Sequence, residues 1–160
     1  LNVTSGKELA SAYEEILVNA RAYKKEARID GVLVQRMEKG LAEVILGFKR
    51  DHQVGPVVVL GIGGILAEIY RDFAARLAPV SVADAGRMIE EVKGLAVIRG
   101  YRGLPKGDCA ALAQAISLFS QLAHLVTIAE AEINPLIIKA EGQGIVAVDG
   151  LIVQRDNPRQ

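Results

Sequence analysis

Two short runs constrain this chain more than any others: Glu130-Ala131-Glu132-Ile133-Asn134-Pro135 and, after a polar break, Ile145-Val146-Ala147-Val148-Asp149-Gly150. Both sit among Ile, Leu and Val, residues that normally signal burial, yet together they carry two glutamates, an asparagine and an aspartate. Burying a carboxylate costs on the order of several kcal/mol unless it is paired or coordinates a metal. The pattern therefore predicts a hairpin that either holds a cation or turns its polar face to water. Residues two apart on a strand share a face, so Glu130, Glu132 and Asn134 point together, with Ala129, Ala131 and Ile133 opposite. With Glu141-Gly142 as a two-residue turn, the pairing sets Asn134 across from Asp149. Facing side chains in such pairs have Cβ atoms about 4.5–5.5 Å apart, close enough for one ion to touch both. Hard oxygen donors of this kind suit Mg²⁺, which keeps several waters and binds through one or two carboxylates plus substrate phosphates. A half-exposed hairpin with an ordinary wet face accounts for the same pattern, and spacing alone favours it.

The 160 residues are enough for one ordinary core. Half are apolar (51%), a quarter charged (24%), and 19 Lys and Arg balance 19 Asp and Glu. That composition is globular and offers no basic footprint for nucleic acid and no polybasic membrane surface. The longest apolar run, 56–67, is interrupted by glycines and is too short to span a bilayer. No export signal opens the chain, and a single cysteine, Cys109, fits a reducing, cytoplasmic compartment. Cys109 follows Asp108 at a predicted helix start, where the dipole could lower a thiol pKa; with no histidine beside it, a packed or semi-exposed thiol is the simpler reading. The opening Leu1-Asn2-Val3 lacks an initiator methionine and reads as the end of a strand, so a piece of a longer protein is expected.

Periodicity predicts the rest. Ser5 with Glu8 forms a capping-box pattern ahead of an amphipathic helix over about 6–25. Strands are expected at 31–37 and 41–49, with Glu38-Lys39-Gly40 as the loop between them, and at 56–60. Gly61-Ile62-Gly63-Gly64 ends the third strand. A dinucleotide fingerprint needs a further glycine where Leu66 stands, and no Gly-Lys-Ser/Thr follows, so these glycines serve a tight bend or a close approach to phosphate. Ile65, Ile69, Phe73 and Leu77 recur at helical spacing. Ser81 caps a helix over about 82–93 with Gly94 as its stop, 95–98 is a short apolar run, and Asp108 caps a helix to about Leu125. Strands over 127–134, 136–139 and 144–153 and a polar tail, 154–160, complete the chain. His52 and His124 read as surface or packing residues.

The motif Glu132-Ile133-Asn134-Pro135-Leu136 with Asp149-Gly150 resembles the metal-binding hairpin of ATP-grasp domains in the succinyl-CoA synthetase superfamily. The NDP-forming acyl-CoA synthetases are more similar still. Their pattern includes Ile29-Asp30-Gly31-Val32-Leu33-Val34-Gln35, Glu43-Val44-Ile45-Leu46-Gly47, Gly55-Pro56-Val57-Val58, Gly61-Ile62-Gly63-Gly64 and Arg76-Leu77-Ala78-Pro79, in this order across 1–153. The resemblance implies an α+β fold, ATP-grasp-like, with a largely antiparallel sheet and packed helices. Residues 1–30 would end the first subdomain and 31–153 would form the second. It implies strands rather than a helix over 66–71 and 73–78.

The same resemblance implies ATP and Mg²⁺ as cofactors. Asn134 and Asp149 match the metal ligands, with Glu132 supporting. Val34, Gln35, Arg36 and Met37 offer backbone groups to the adenine, Glu43 matches the ribose-binding carboxylate, and Gly63 and Gly64 match the glycines beside the phosphates. Arg76 and Arg102 are candidates to offset phosphate charge. The strand with the nucleotide-binding lysine would lie before Leu1, and the CoA-binding and phosphohistidine-bearing domains would be the partners. The parent reaction would join carboxylate, CoA and ATP into acyl-CoA, ADP and phosphate, with the isolated chain inactive. The competing expectation is a degenerate ATP-grasp module serving as a regulatory or interaction scaffold, as in a fused protein acetyltransferase.

Overall fold

The computed structural model describes residues 3–63 and 72–155. The chain divides into two compact units, Leu1–Met37 and Glu38–Gln160. In the first, helix α1 spans Gly6–Tyr23. Ser5 caps it through its hydroxyl, which accepts the Glu8 N–H at 3.2 Å. The Glu8 carboxylate turns back to the Thr4 N–H at 2.8 Å and the Thr4 hydroxyl at 3.0 Å, so the capping pattern closes on Thr4 rather than on Ser5.

The strand expected at 31–37 is absent: these residues carry no regular structure, and no described strand pairs with them. Leu33 and Val34 are 80% and 62% exposed. β-branched content favours an extended backbone, but a strand exists only where a ladder partner takes its hydrogen bonds.

The second unit is an antiparallel sheet with helices against one face. Strands β1 (Ala42–Asp51), β2 (Gly55–Ile62) and β3 (Phe73–Leu77) precede α2 (Val82–Glu91) and α3 (Cys109–Ser120). Strands β4 (Ile128–Ile138), β5 (Ile145–Ala147) and β6 (Gly150–Gln154) follow. The order is β3-β2-β1-β4-β5, with β6 also on β4. Every pairing among them is antiparallel. Alternation along β1 buries Val44, Leu46 and Phe48 and leaves Glu43 and Lys49 exposed. Val44 and Leu46 join Val58 and Leu60 of β2 and Leu136 and Ile138 of β4 against Met88, Ile89, Leu112 and Ile116 of the helices, while Phe48 packs in a second cluster with Ile128 and Ala131. Among the described residues, no helix is long and apolar enough to cross a membrane.

Helical spacing over 65–78 fails where it can be seen: Phe73–Leu77 is a strand paired with β2, as the resemblance implied, while 64–71, Gly64 among them, lie outside the described residues. Here edge pairing overrides a four-residue period. Ser81 does form a capping box with Asp84. That helix ends at Glu91, short of Gly94. The Asp72 carboxylate accepts the Lys93 and Gly94 N–H groups at 3.0 and 2.6 Å, and a 3-10 turn, Lys93–Ile98, begins there. The helix capped by Asp108 ends at Ser120 and passes into a 3-10 turn, Gln121–His124.

Candidate functional site

The hairpin has the register its turn predicted. Gln143 N–H donates to Ala140 O at 2.9 Å, with Glu141-Gly142 as the central pair, and Lys139 N–H donates to Gly144 O at 3.1 Å. Gly142 adopts φ +78°, a left-handed conformation that glycine reaches without steric cost. Leu136 then faces Ala147, and Ile133 faces Gly150. Between them Val148 N–H reaches Pro135 O and Asn134 N–H reaches Asp149 O, both at 3.1 Å. These two bonds span the break between β5 and β6, which the sequence read as one strand.

Pro135 does not split β4, although two strands were expected around it. Val44 pairs with Leu136 but Leu46 pairs with Ile133, so Asn134 and Pro135 together stand opposite Ile45 in a bulge. Proline lacks the donor that a regular ladder position needs, and a bulge is where a sheet accepts it.

Glu132, Asn134 and Asp149 are all exposed. Asn134 Nδ2 donates to Glu132 Oε1 at 3.0 Å, which leaves Asn134 Oδ1 with no hydrogen bond among the described residues. Asp149 Oδ1 accepts the Gly150 N–H at 2.8 Å. Glu130, on the same face, is taken by Lys49 at 2.8 Å. Its hydrogen bond and negative charge raise the Lys49 pKa and keep that ammonium charged. A groove of about 180 Å³ runs along this face, lined by Gly47, Lys49, Glu130, Glu132, Leu151 and Val153.

The donors near Asn134 are hard oxygens with two negative charges, a set that fits Mg²⁺ and not a soft metal. Among the described residues, no group of three or more His, Cys, Asp or Glu could enclose a metal. An ion here would need ligands from elsewhere, as Mg²⁺ takes from nucleotide phosphates.

Glu43 lies on the same strand face, opposite Ile137. Gly63 N–H donates to Glu43 O at 2.8 Å, and a Cβ at Gly63 would stand 2.9 Å from the Glu43 carbonyl carbon and oxygen. Packing on Glu43 is therefore sufficient reason for this glycine. Val34, Gln35, Arg36 and Met37 belong to the first unit, and each is exposed.

Two cations offered for phosphate charge are otherwise engaged. Arg76 pairs with Glu91, and Arg102 lies 5.2 Å from the Tyr101 ring centroid. Cys109 lines a hollow of about 310 Å³ beside α2. Burial pushes its thiol pKa up, outweighing the nearby Arg99, so the packed-thiol reading stands.

Sequence reasoning took Asp108 for a helix cap alone. Its carboxylate also accepts the Gly144 N–H at 2.9 Å, tying α3 to the hairpin turn. Only the packing of 106–108 beside 139–141 reveals this, since neither segment signals the other in sequence.

A family model described as an ATP-grasp domain matches residues 1–153. The chain is 37% identical over 155 residues to the beta subunit of Pyrococcus furiosus acetate–CoA ligase [ADP-forming] II, covering 96% of this chain and 66% of that subunit. It is 37% identical over 150 residues to 4-hydroxybutyrate–CoA ligase [ADP-forming] of Nitrosopumilus maritimus, covering 93% of this chain and 22% of that protein. The chain thus spans between about a fifth and two thirds of these relatives. Acetyl-coenzyme A synthetase 1 of Ca. Korarchaeum cryptofilum, solved with coenzyme A and Mg-AMPPCP, superposes with a TM-score of 0.81 at 35% identity, over 97% of this chain and 67% of that one. With its antiparallel sheet, its bulged Asn134–Asp149 hairpin and these likenesses, the chain belongs to the ATP-grasp domain family.

Proposed function

We propose that this chain is the Mg-ATP-binding part of an ADP-forming acyl-CoA synthetase. The parent enzyme joins a carboxylate, CoA and ATP into acyl-CoA, ADP and phosphate, through an acyl phosphate and a phosphohistidine. The observation that carries the reading is the backbone pairing of Asn134 with Asp149 across the hairpin, with Glu132 holding the Asn134 amide. The relatives' ADP-forming ligase activity supports the reaction class, and the Mg-AMPPCP complex of the Ca. Korarchaeum cryptofilum synthetase supports the cofactors.

In this reading Asn134 Oδ1 and the Asp149 carboxylate supply the metal oxygens. Glu132 orients the asparagine by accepting from Nδ2, which directs the amide oxygen, not its nitrogen, to the cation. Mg²⁺ bound there would offset the charge of the triphosphate. Glu43 accepts from the ribose hydroxyls. Gly63 and Gly64 match the glycines that stand beside the phosphates in the family. This chain positions and neutralises; the CoA-binding and phosphohistidine-bearing domains of the parent supply the acceptor chemistry.

The test is Asp149→Ala in the full-length synthetase. We expect loss of Mg²⁺-dependent ADP release by at least about a hundredfold, the scale of removing a group that acts on transition-state charge, with the circular dichroism spectrum unchanged. Unchanged acyl-CoA formation would overturn the metal assignment, and a full-length parent that forms no acyl-CoA at all would favour a scaffold module without catalysis.

A further inference from the structure

Asp108 is the one buried charged residue among the described residues, at 8% exposure. A helix cap needs one acceptor oxygen, and Ser81 does that work for α2, where its Oγ accepts the Asp84 N–H at 3.1 Å. Asp108 brings two. Oδ1 accepts the Ala111 N–H at 3.0 Å and caps α3, while Oδ2 accepts the Gly144 N–H at 2.9 Å. Its own N–H donates to Lys139 O at 3.0 Å, and Glu141 N–H donates to Lys106 O at 2.9 Å. Gly107 has no room for a side chain, since a Cβ there would stand 2.8 Å from Ile98 Cβ and 3.0 Å from Ile138 Cγ2. Residues 106–108 are thus pressed against both arms of the hairpin turn.

That contact falls where the sheet is otherwise unsupported, because β5 ends the strand order. Register at such an edge rests on the turn, and a slip of one residue turns every side chain of the strand to the other face. We propose that Asp108 is a positioning residue for the nucleotide–metal site: its second oxygen locks the turn at Gly144, which keeps Asp149 opposite Asn134. The inference rests on the reading above of that pair as the metal ligands.

The experiment uses Asp108→Ser in the full-length synthetase. Serine still caps α3 but is too short to hold Gly144 as well. Hydrogen exchange at the Asn134, Lys139, Gly144 and Val148 amides should quicken about tenfold, the scale of one lost charge-assisted hydrogen bond, while the β1–β2 ladder keeps its protection. The Mg²⁺ concentration for half-maximal ADP release should rise severalfold, with kcat restored at saturating Mg²⁺. Unaltered exchange and unaltered Mg²⁺ dependence would overturn the proposal. Asp108→Asn, the same size with one acceptor oxygen, reports the same amides if the serine variant is too unstable. Unfolding of both would also overturn it, because the carboxylate would then secure the core and not the hairpin. Asp149→Ala separates the two readings: if that variant keeps its Mg²⁺ dependence, the metal assignment fails, while the exchange measurement still judges Asp108.

Discussion

Replacing Gly63 by alanine tests whether this glycine is set by packing on Glu43 or only by a bend. The added Cβ would lie 2.9 Å from the Glu43 carbonyl carbon and oxygen and 3.2 Å from its Cβ. Ordinary carbon–carbon contacts begin near about 3.5 Å, so something must move by roughly half an ångström. The obstacle is backbone of β1, which is hydrogen-bonded to β2 on one side and β4 on the other. It cannot swing aside as a side chain would. Overpacking of this kind costs about 1–3 kcal/mol, and the lower entropy of the unfolded alanine chain returns about 0.5–1 kcal/mol. The net loss is then about 0–2.5 kcal/mol, with a central value of about 1 kcal/mol. At about 2–4 °C per kcal/mol for a chain of this length, that central value lowers Tm by roughly 2–4 °C. Gly86 supplies the matched control: it lies inside α2 with nothing within 4 Å of its would-be Cβ. Gly86→Ala should stabilise by about 0.5–1 kcal/mol through helix propensity alone. Thermal unfolding followed by circular dichroism reads both. A Tm for Gly63→Ala equal to or above the parent's would refute the packing argument. If the proposed function holds, the same variant in the full-length parent should raise the KM for ATP severalfold, because the displaced strand carries Glu43, the proposed ribose contact.

Two further outcomes follow from buried and capped charges. Lys139 Nζ binds Glu38 Oε2 at 2.6 Å and Lys39 O at 2.7 Å, with both partners of the ion pair less than a quarter exposed. Lys139→Met should cost about 1–3 kcal/mol in urea unfolding by removing the ammonium from beside the half-buried Glu38 carboxylate, and an unchanged midpoint would discount the pair. The second concerns acid. Hydrogen bonds from Ser81 hold the Asp84 pKa below its ordinary value, and those from Ala111 and Gly144 do the same for Asp108. Each carboxyl therefore binds fewer protons folded than unfolded. Their contribution is complete above about pH 4 and is lost as pH falls through the depressed folded values. Melting temperature should drop progressively below about pH 4, and more shallowly in Asp84→Asn; a flat profile would refute the linkage.

Local chemistry by itself determined a good deal of this protein. Ser81 and Asp108 announced helix starts, and β-branched, apolar runs either side of a polar turn located β1 and β2. Glu141-Gly142 fixed the turn and, through it, the pairing of Asn134 with Asp149. Each of these rests on interactions within a few residues, which is why a linear reading finds them. Residues 31–37 mark the limit of that reading, since extended propensity without a partner strand leaves no ladder. Phe73–Leu77 shows the converse: helical spacing yielded to an available edge on β2. The bulge at Asn134–Pro135, the close contact of Gly63 with Glu43, and the reach of Asp108 to Gly144 were decided by tertiary structure alone. In each, the deciding atom comes from a segment distant in sequence, so its distance and hydrogen bond exist only once the sheet has assembled.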